Sequence, residues 1–394
     1  MGLVSKNSKK TLYKGIEINL PLYLDHQSTT PLAPEVRDSM IDTYSQPGNA
    51  ESSTHVFGLE ARADIENARN QISTLLSCHT DELIFTSGAT EANNLALIGY
   101  ARNFKGKGHI ISLATEHDSV LSPLSALKDE GFDVTLIPVD TGGHVNFSKL
   151  KAAFRSDTIL VSIQTANNEI GTIQNINEIG TLCAARDIAF HTDATQALLT
   201  QQTNVHAQNI TMLSLSGHKL YGPQGVGALY LKRGTKLKPL IYGGDQQNGM
   251  RGGTMPAPLI VGLGQACQTV IECQHKDKVY LLNLSKVLKS QLTSHLKDKV
   301  QFNGDQNAAL PGCLSITLQS IDAEDLLLEM PELALSTGSA CTSSSKTSSH
   351  VLKALGMSAD AASSTIRIGL GRYVTVAEVE YAANIIINAY NKLK

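Results

Sequence analysis

Residues 212–231 read MLSLSGHKLYGPQGVGALYL, in which two apolar runs flank a glycine-rich turn. The runs at 212–215 and 228–231 predict buried strands, and the glycines between them predict a sharp change in chain direction. Lys219 follows the first of these strands almost directly. Because burial penalises an ammonium group, a lysine here needs either a partner or a chemical use as a neutral amine. The stretch therefore indicates a strand end that carries a reactive group.

Short apolar runs alternate with helical patterns from about Asp81 to Leu231. Helical spacing at 91–100, 121–130 and 176–186 separates several of the apolar runs. Buried strands that alternate with helices predict an α/β fold built on a mostly parallel, doubly wound, seven-stranded sheet. The candidate strands are 83–86, 109–113, 134–138, 158–163, 189–192, 212–215 and 228–231. Ligands of such sheets bind at the carboxyl ends of the strands.

The pattern changes after Pro256. Long helices are predicted over about 258–296, a strand at 314–318, and a final helix that begins with a capping box made by Thr375 and Glu378. These elements predict a second, smaller α/β region.

We therefore expect two domains. The large domain covers residues 30–272, and the small domain combines 1–29 with 273–394. The small domain contains Cys341 within a stretch of serine and threonine, a composition that predicts a mobile loop.

The composition excludes several classes of protein. The chain has 394 residues, a net charge of -3 and an apolar content of 42%. No segment has the length and hydrophobicity of a membrane span, and the charge gives no case for direct binding to nucleic acid or membrane. The first residues are basic but lack the apolar core of a secretory signal and the pattern of a transit peptide, so we expect a cytoplasmic protein.

The cysteines give no sign of a metal site. There are six, and none forms a CxxC pair or has histidines at zinc-ligand spacing. We expect no metal ion and no disulfide, and we expect most of these thiols to be buried and inert.

The stretch TSGATE, residues 86–91, joins a predicted strand to a predicted helix. Free backbone N–H groups and the positive end of a helix dipole would meet there, which suits a phosphate. The structural alternative is a helix cap made by Thr90.

Asp193 follows the strand at 189–192 and begins the stretch DATQ. An acid at this position often caps the next helix. The functional alternative is an anion that pairs with a heterocyclic cation and keeps it protonated.

The order of these three motifs is more specific than any one of them. Pyridoxal phosphate needs a phosphate cradle, an acid at its ring nitrogen and a lysine at its aldehyde. The chain offers these in sequence, and Ser216 and His218 lie close enough to Lys219 to bind the phosphate. We therefore predict a pyridoxal-phosphate enzyme.

At this point the chain resembles a known family, from about Tyr23 to its end. It is similar to the class I cysteine desulfurases of the NifS/IscS type, in the class-V aminotransferase group of fold-type I pyridoxal-phosphate enzymes. The stretches that carry the resemblance are SGATEANNLAL from Ser87, TEH from Thr115, ANNEIG from Ala166, DATQ from Asp193, SGHKLYGPQGVGALY from Ser216, GMRGGT from Gly249, GSACTS from Gly338 and SSTIRIGLGR from Ser363. The chain departs from the family at Ser28, where alanine is usual, and at Asp245, where a third glycine is common.

The resemblance implies a role for each matching residue. Lys219 would hold the cofactor through its amine and later move the proton of the substrate Cα. The other implied cofactor contacts are Asp193 at the ring nitrogen, His117 on the ring face as a possible acid or base, Gln196 at the ring oxygen, and Ala89, Thr90, Ser216 and His218 around the phosphate. Thr254 would reach the phosphate from the neighbouring subunit of a homodimer, and Asn168 and Arg367 would hold the substrate carboxylate.

The resemblance also implies the reaction. The thiolate of Cys341 would attack the sulfur of cofactor-bound L-cysteine, L-alanine would leave, and Cys341 would keep the sulfur as a persulfide. An acceptor protein would then take the sulfur for iron–sulfur cluster assembly or for thio-modification of nucleic acid, including phosphorothioation of DNA.

Other readings are compatible with the same scaffold. A selenocysteine lyase, a cysteine or cystine lyase, or a class-V aminotransferase would not need Cys341 as sulfur carrier. A non-catalytic subunit for sulfur relay is disfavoured because Lys219, Asp193, His117, Cys341 and Arg367 are all present.

Overall fold

The computed structural model of the chain describes residues 9–105, 107–337 and 349–394. Its α-helices are α1 (Pro34–Tyr44), α2 (Val56–Leu76), α3 (Ala89–Asn94), α4 (Asp118–Asp129), α5 (Phe147–Ala153), α6 (Ile176–Ala184), α7 (Ala257–Leu296), α8 (Ala323–Leu328), α9 (His350–Ala354), α10 (Ala359–Ser363) and α11 (Val376–Leu393). Its strands are β1 (Lys9–Tyr13), β2 (Ile16–Leu20), β3 (Leu22–Tyr23), β4 (Leu83–Thr86), β5 (His109–Leu113), β6 (Asp133–Ile137), β7 (Thr158–Ser162), β8 (Ala189–Asp193), β9 (Met212–Ser216), β10 (Gly227–Leu231), β11 (Val300–Phe302), β12 (Cys313–Leu318), β13 (Leu333–Ala334), β14 (Ser336–Thr337) and β15 (Thr365–Gly369). Cys341 lies outside the described residues.

The large sheet has seven strands in the order β4-β10-β9-β8-β7-β5-β6. Strand β10 is antiparallel to both of its neighbours, and the other pairs are parallel. The prediction of a mostly parallel sheet of seven strands is therefore confirmed. The six parallel strands end at one edge, where the predicted site residues follow them.

Both faces of this sheet are covered. Neighbouring residues of one strand point to opposite faces, as in the pair Leu160 and Val161 of β7. Val161 packs in a core with α2, α6 and the first half of α7, whereas Leu160 packs in a second core with α4. Most residues of the inner strands are buried and many are apolar, which is why these strands could be recognised in the sequence, whereas the edge strand β6 is partly exposed.

A smaller antiparallel sheet, β11-β12-β15-β14, supports the rest of the chain. Its core contains the second half of α7 and the apolar face of α11. Helix α11 begins with the predicted capping box, in which Thr375 and Glu378 each accept a hydrogen bond from the backbone of the other. The smaller α/β region is thus present. The proposed domain boundary at 272/273 falls inside the continuous helix α7 and stays a prediction.

The segment 25–30 connects the two sheets at the carboxyl edge of the large one. His26 anchors it, because its Nδ1 lies 2.9 Å from the carbonyl oxygen of Gly369 at the end of β15. A Cβ on Gly371 would lie 2.1 Å from the His26 ring, so this close approach requires glycine. Burial lowers the pKa of His26 to about 4, which leaves the ring neutral near pH 7.

Among the described helices, none combines the length and the apolar character needed to cross a bilayer.

Candidate active site

A cavity of about 620 Å³ opens at the carboxyl edge of the large sheet, within the size range of small-molecule sites. Ten of the predicted site residues line it: Ala89, Thr90, His117, Asn168, Asp193, Gln196, Ser216, His218, Lys219 and Arg367. The structure therefore brings together residues that the sequence places almost 280 positions apart (367 − 89 = 278). Thr254 does not line the cavity of its own chain.

Lys219 lies on the turn that follows β9, and its side chain enters the cavity. The Nζ donates hydrogen bonds to the carbonyl oxygens of Gln27 and Ser28, the second at 2.7 Å. Gln196 also donates from Nε2 to the Gln27 carbonyl, at 3.0 Å. Main-chain oxygens of the segment 25–30 thus hold the amine in place.

Asp193 ends β8 and is buried. Its Oδ2 accepts a hydrogen bond of 2.7 Å from Nδ2 of Asn93, and its Oδ1 accepts one of 2.9 Å from the N–H of Thr195. The second contact closes a local turn; no helix begins there, so the alternative of a helix cap is wrong. The first comes from the helix that follows β4, so the carboxylate is oriented from two sides.

His117 both caps a helix and faces the cavity. It is the N-cap of α4, and its Nδ1 accepts the N–H of Ser119 at 3.1 Å. Because Nδ1 accepts this hydrogen bond, Nε2 is left as the ring nitrogen that can donate. Capping α4 and facing the cavity are therefore compatible for this histidine.

The turn before α3 has the form expected of an anion cradle. Gly88 is the N-cap, has φ +152°, and provides no side chain to satisfy the first N–H groups of the helix. The alternative of a cap made by Thr90 is wrong, because Thr90 lies one residue inside the helix. A Cβ on Gly88 would lie 3.7 Å from Oγ of Ser216, so this hydroxyl lies next to the turn.

His218 stands beside the cradle as a neutral group. Burial, assisted by the positive charge of Lys219, lowers the pKa of His218 to about 4. Its Nδ1 lies 3.1 Å from Oγ1 of Thr29, so the ring is oriented from the segment 25–30.

These groups fit pyridoxal phosphate at three points: hydrogen-bond donors at 88–90, the carboxylate of Asp193 and the amine of Lys219. The cavity lining also includes a hydroxyl group that could form a hydrogen bond to a bound ligand. Thr195 lines it, and the buried Oγ1 of that residue has no partner among the residues that the structure describes.

Arg367 extends from β15 into the same cavity and is 2% exposed. Its Nη2 donates to Oδ1 of Asp25 at 2.8 Å and to Oγ of Ser28 at 2.7 Å, and its Nη1 donates to the carbonyl oxygen of Asn168 at 3.2 Å. Its ion pair with Asp25 is therefore buried and does not lie on the surface. The buried Nε has no partner within the described ranges. Ser28, one of the departures from the family pattern, is a direct partner of this guanidinium.

Two charged groups of the site were missed in the sequence. Glu91 lines the cavity and forms an ion pair with Arg251, whose Nε lies 2.9 Å from Oε1. Burial opposes ionisation of Glu91, but hydrogen bonds from Arg251 and Ser87 outweigh it and lower its pKa. The stretch GMRGGT carried the signal for Arg251, but nothing in it identified Glu91 as the partner.

The second missed group is Glu169, which follows Asn168. Its carboxyl is buried, and its Oε2 accepts a hydrogen bond of 2.5 Å from Oγ of Ser349. The same hydroxyl accepts the N–H groups of Val351 and Leu352 and so caps α9. Burial raises the pKa of Glu169 to about 7, with smaller opposing effects of Ser349, His350 and Arg367.

We expect Glu169→Gln to flatten the pH dependence of stability between about pH 5 and 8. The folded state raises the pKa of this carboxyl, so its stabilising contribution is complete below the unfolded value near 4.5 and is lost as the pH rises through 7. The loss amounts to up to about 3 kcal/mol in the native protein. The glutamine can still accept the hydrogen bond of Ser349, so the fold should persist.

The measurement is the free energy of unfolding in urea at several pH values. Glu272→Gln, at an exposed position of α7, is the matched control and should follow the native curve. A constant difference between native protein and Glu169→Gln over this pH range would show that Glu169 does not titrate there.

The chain is similar to known proteins in sequence and in structure. The sequence model of the family "Aminotransferase class-V" matches residues 22–382. A mitochondrial cysteine desulfurase of Drosophila melanogaster is 46% identical over 95% of this chain and 82% of its own length. A solved NifS-like protein superposes with a TM-score of 0.88 at 33% identity, covering 94% of this chain and 99% of the other. The structure of SspA in complex with cysteine gives a TM-score of 0.78 at 36% identity, with 90% and 99% coverage.

The chain therefore belongs to the class-V aminotransferase family and is a pyridoxal-phosphate enzyme of fold type I. Within that family its relatives place it among the cysteine desulfurases of the NifS type. The predicted family, fold, enzyme class and cofactor are thereby confirmed.

The predicted cytoplasmic location is wrong. The relative from Drosophila melanogaster is named mitochondrial, as is one from Arthroderma benhamiae at 45% identity over 93% of this chain and 73% of its own length, and these names point to mitochondria. The prediction depended on the first residues alone, because the composition of a folded enzyme does not identify its compartment.

Proposed function

We propose that the protein converts L-cysteine to L-alanine and transfers the sulfur to Cys341 as a persulfide, from which an acceptor protein takes it. The main support for the proposal is that Lys219 and Arg367 line the same cavity. An amine and a buried guanidinium that face one cavity suit an α-amino acid, whose carboxylate the planar guanidinium can bind. The relative solved with cysteine supports the choice of substrate.

The cofactor supplies an electron sink for the electrons released at the substrate Cα. Arg367 would hold the substrate carboxylate with its guanidinium, while Asp25 and Ser28 fix its Nη2. Lys219 would take the Cα proton once its amine has left the carbonyls of Gln27 and Ser28. Asp193 would pair with the ring nitrogen of the cofactor, since Asn93 and Thr195 fix the direction of its oxygens.

His117 would lie on the face of the bound ring, with its Nε2–H available to donate a hydrogen bond to the substrate. Its orientation is set by the N–H of Ser119, which occupies Nδ1. Gln196 would reach the ring oxygen by releasing the carbonyl of Gln27. Ala89, Thr90, Ser216 and His218 would hold the phosphate, and Asn168 would assist at the substrate carboxylate.

Cys341 is proposed as the sulfur carrier because of its setting in the sequence, since it lies outside the described residues. The ends of the surrounding segment are described, and both lead to the site. On one side, Oγ of Ser336 donates to Oδ1 of Asp25, which also binds Arg367. On the other side, Ser349 binds Glu169, the neighbour of Asn168. These contacts show that both described flanks, at Ser336 and Ser349, lie next to the proposed substrate-binding residues.

The cysteine nearest to Asn168 in the described structure is a poor alternative. Cys313 lies on β12 with its Sγ 3.9 Å from the carbonyl oxygen of Asn168. Burial raises the pKa of Cys313 to about 12, so its thiol is protonated at neutral pH and is a weak nucleophile.

We also propose that the enzyme is a homodimer in which Thr254 of the partner subunit contacts the cofactor phosphate. An exposed apolar surface on α1 and α2 supports a large protein contact, and it includes Ile41, Tyr44, Val56, Phe57 and Leu59. A groove next to this surface continues to the start of α7, just after Thr254.

We propose iron–sulfur cluster assembly as the destination of the sulfur, in keeping with relatives named as mitochondrial. Thio-modification of nucleic acid is the second candidate, supported by the likeness to DndA of Streptomyces lividans, at 33% identity and a TM-score of 0.75 over 87% of this chain and 98% of the other.

The test of the proposed reaction is to incubate the holoenzyme with L-cysteine and a reducing thiol and to identify the products. A desulfurase gives alanine and sulfide in equal amounts. Formation of pyruvate and ammonia would instead support a cysteine lyase, and a requirement for a 2-oxo acid would support an aminotransferase. Turnover of selenocysteine with no turnover of cysteine would support a selenocysteine lyase.

A further inference from the structure

Three potential metal ligands lie together at the amino edge of the large sheet. His79, Glu82 and His206 each offer one ligand atom, and these atoms all lie within 4.8 Å of one another. Glu82 immediately precedes β4, whereas the cavity lies beyond the other end of that strand. A strand of this length separates the two places by roughly 13 Å. The cluster is therefore distinct from the active site.

The backbone holds the carboxylate of Glu82 in a fixed direction. Its Oε2 accepts the N–H of His79 at 2.9 Å, and its Oε1 accepts the N–H of Arg233 at 3.0 Å. The residue is buried, with 2% of its surface exposed. Each carboxylate oxygen keeps a further lone pair, so these contacts orient the group without exhausting its capacity as a ligand.

The segment that carries His206 is also anchored. The N–H of its neighbour Val205 donates to the carbonyl oxygen of Leu76, the last residue of α2, at 3.1 Å. The His206 ring meets the ring of Tyr230 edge to face, with centroids 6.2 Å apart. Both histidines of the cluster are exposed, so their rings can turn toward a common ion at little cost.

One pair already has the separation that a bound ion requires. Nε2 of His206 lies 3.4 Å from Oε2 of Glu82. Two ligands of a tetrahedral zinc ion, at bond lengths of about 2.0–2.2 Å, lie about 3.3–3.5 Å apart. The rings of His79 and His206 have centroids 5.7 Å apart, so His79 needs only a side-chain rotation to complete a set of three.

The surroundings of Glu82 contain a polar group without a partner. The hydroxyl of Tyr230 is buried and makes no hydrogen bond to any residue of the described structure. A cation bound to Glu82 would balance the charge of this buried carboxylate.

We propose that His79, Glu82 and His206 bind a divalent transition-metal ion of the zinc class, with water at the open position. Imidazole nitrogen and carboxylate oxygen are ligands that zinc accepts, and three protein ligands leave one position for solvent. The sequence predicted no metal ion because its cysteine and histidine spacings were uninformative. The ligands instead come from two segments that only the fold brings together.

The test is calorimetric titration of the holoenzyme with zinc chloride at pH 7.5. All proteins carry Cys341→Ala, which removes a competing thiol. We expect one equivalent of zinc to bind, and we expect the affinity to fall at least about tenfold in His206→Ala and in His79→Ala. His275→Ala, an exposed position of α7, is the matched control and should bind zinc as the parent does.

Thermal unfolding gives an independent readout. Zinc should raise the Tm of the parent and of His275→Ala, because it binds the folded state, but not that of His206→Ala. Absence of binding to the parent, or equal affinity in all the variants, would overturn the proposal and leave an ordinary ion pair between Glu82 and His206.

Discussion

Lys219→Ala is expected to reduce alanine formation from L-cysteine by at least about 10³-fold. The amine of Lys219 lines the same cavity as the carboxylate of Asp193 and the guanidinium of Arg367. In the proposed mechanism, its replacement removes the covalent attachment of the cofactor and the base that moves the Cα proton. The surrounding fold should persist, because the carbonyls of Gln27 and Ser28 that lose their donor lie next to the cavity and can bind water.

Two measurements separate these losses. Borohydride reduction followed by mass spectrometry of the intact chain reports covalent cofactor, and the rate of alanine formation reports catalysis. Lys232→Ala is the matched control, because that lysine follows the neighbouring strand β10 but is exposed. Covalent cofactor in Lys219→Ala, or more than a tenth of the native rate, would contradict the role given to Lys219.

Cys341→Ala is expected to lower alanine and sulfide formation by at least about 10²-fold while the cofactor stays bound. The proposed reaction needs a thiolate to accept the sulfur, and alanine has no nucleophile. The variant should still bind L-cysteine, since Arg367 and Lys219 are unchanged. The predicted signature is therefore a normal change in the cofactor spectrum on adding substrate, with no turnover after it.

Cys313→Ala is the control for this experiment. Cys313 is the described cysteine whose Sγ approaches the carbonyl of Asn168, and its raised pKa makes it unreactive in our proposal. It should retain its rate within a few-fold. Full activity in Cys341→Ala would favour a lyase or an aminotransferase. Loss of activity in Cys313→Ala alone would show that the sulfur carrier is Cys313 and not Cys341.

The sequence was sufficient for the parts of the site that depend on local chemistry. Lys219 and Asp193 each follow a buried apolar run, and strand ends of this kind converge in a doubly wound sheet. The cradle before Thr90 could be predicted from one glycine and the start of a helix. Resemblance to a family then assigned Arg367 and Asn168, which no spacing rule would have selected.

The rest of the site depends on contacts between distant segments. The Asn93 contact to Asp193 spans 100 positions, and the Ser349 contact to Glu169 spans 180. A pair of this kind leaves no periodic signal in a single sequence, and burial, which raises the pKa of Glu169, is known only from the fold. For the same reason Ser28 was recognised as a departure from the family but not as a partner of Arg367.

The continuous helix α7 has a mechanical consequence. Its 40 residues form a rod of about 60 Å. The first half is embedded in the core of the large sheet, and the second half in the core that supports Arg367. A single residue inserted near its middle would rotate one half against the other by about 100° and move Arg367 out of line with Lys219. Insertions and deletions should therefore be tolerated in the surface loops, but an insertion or deletion within α7 should abolish activity.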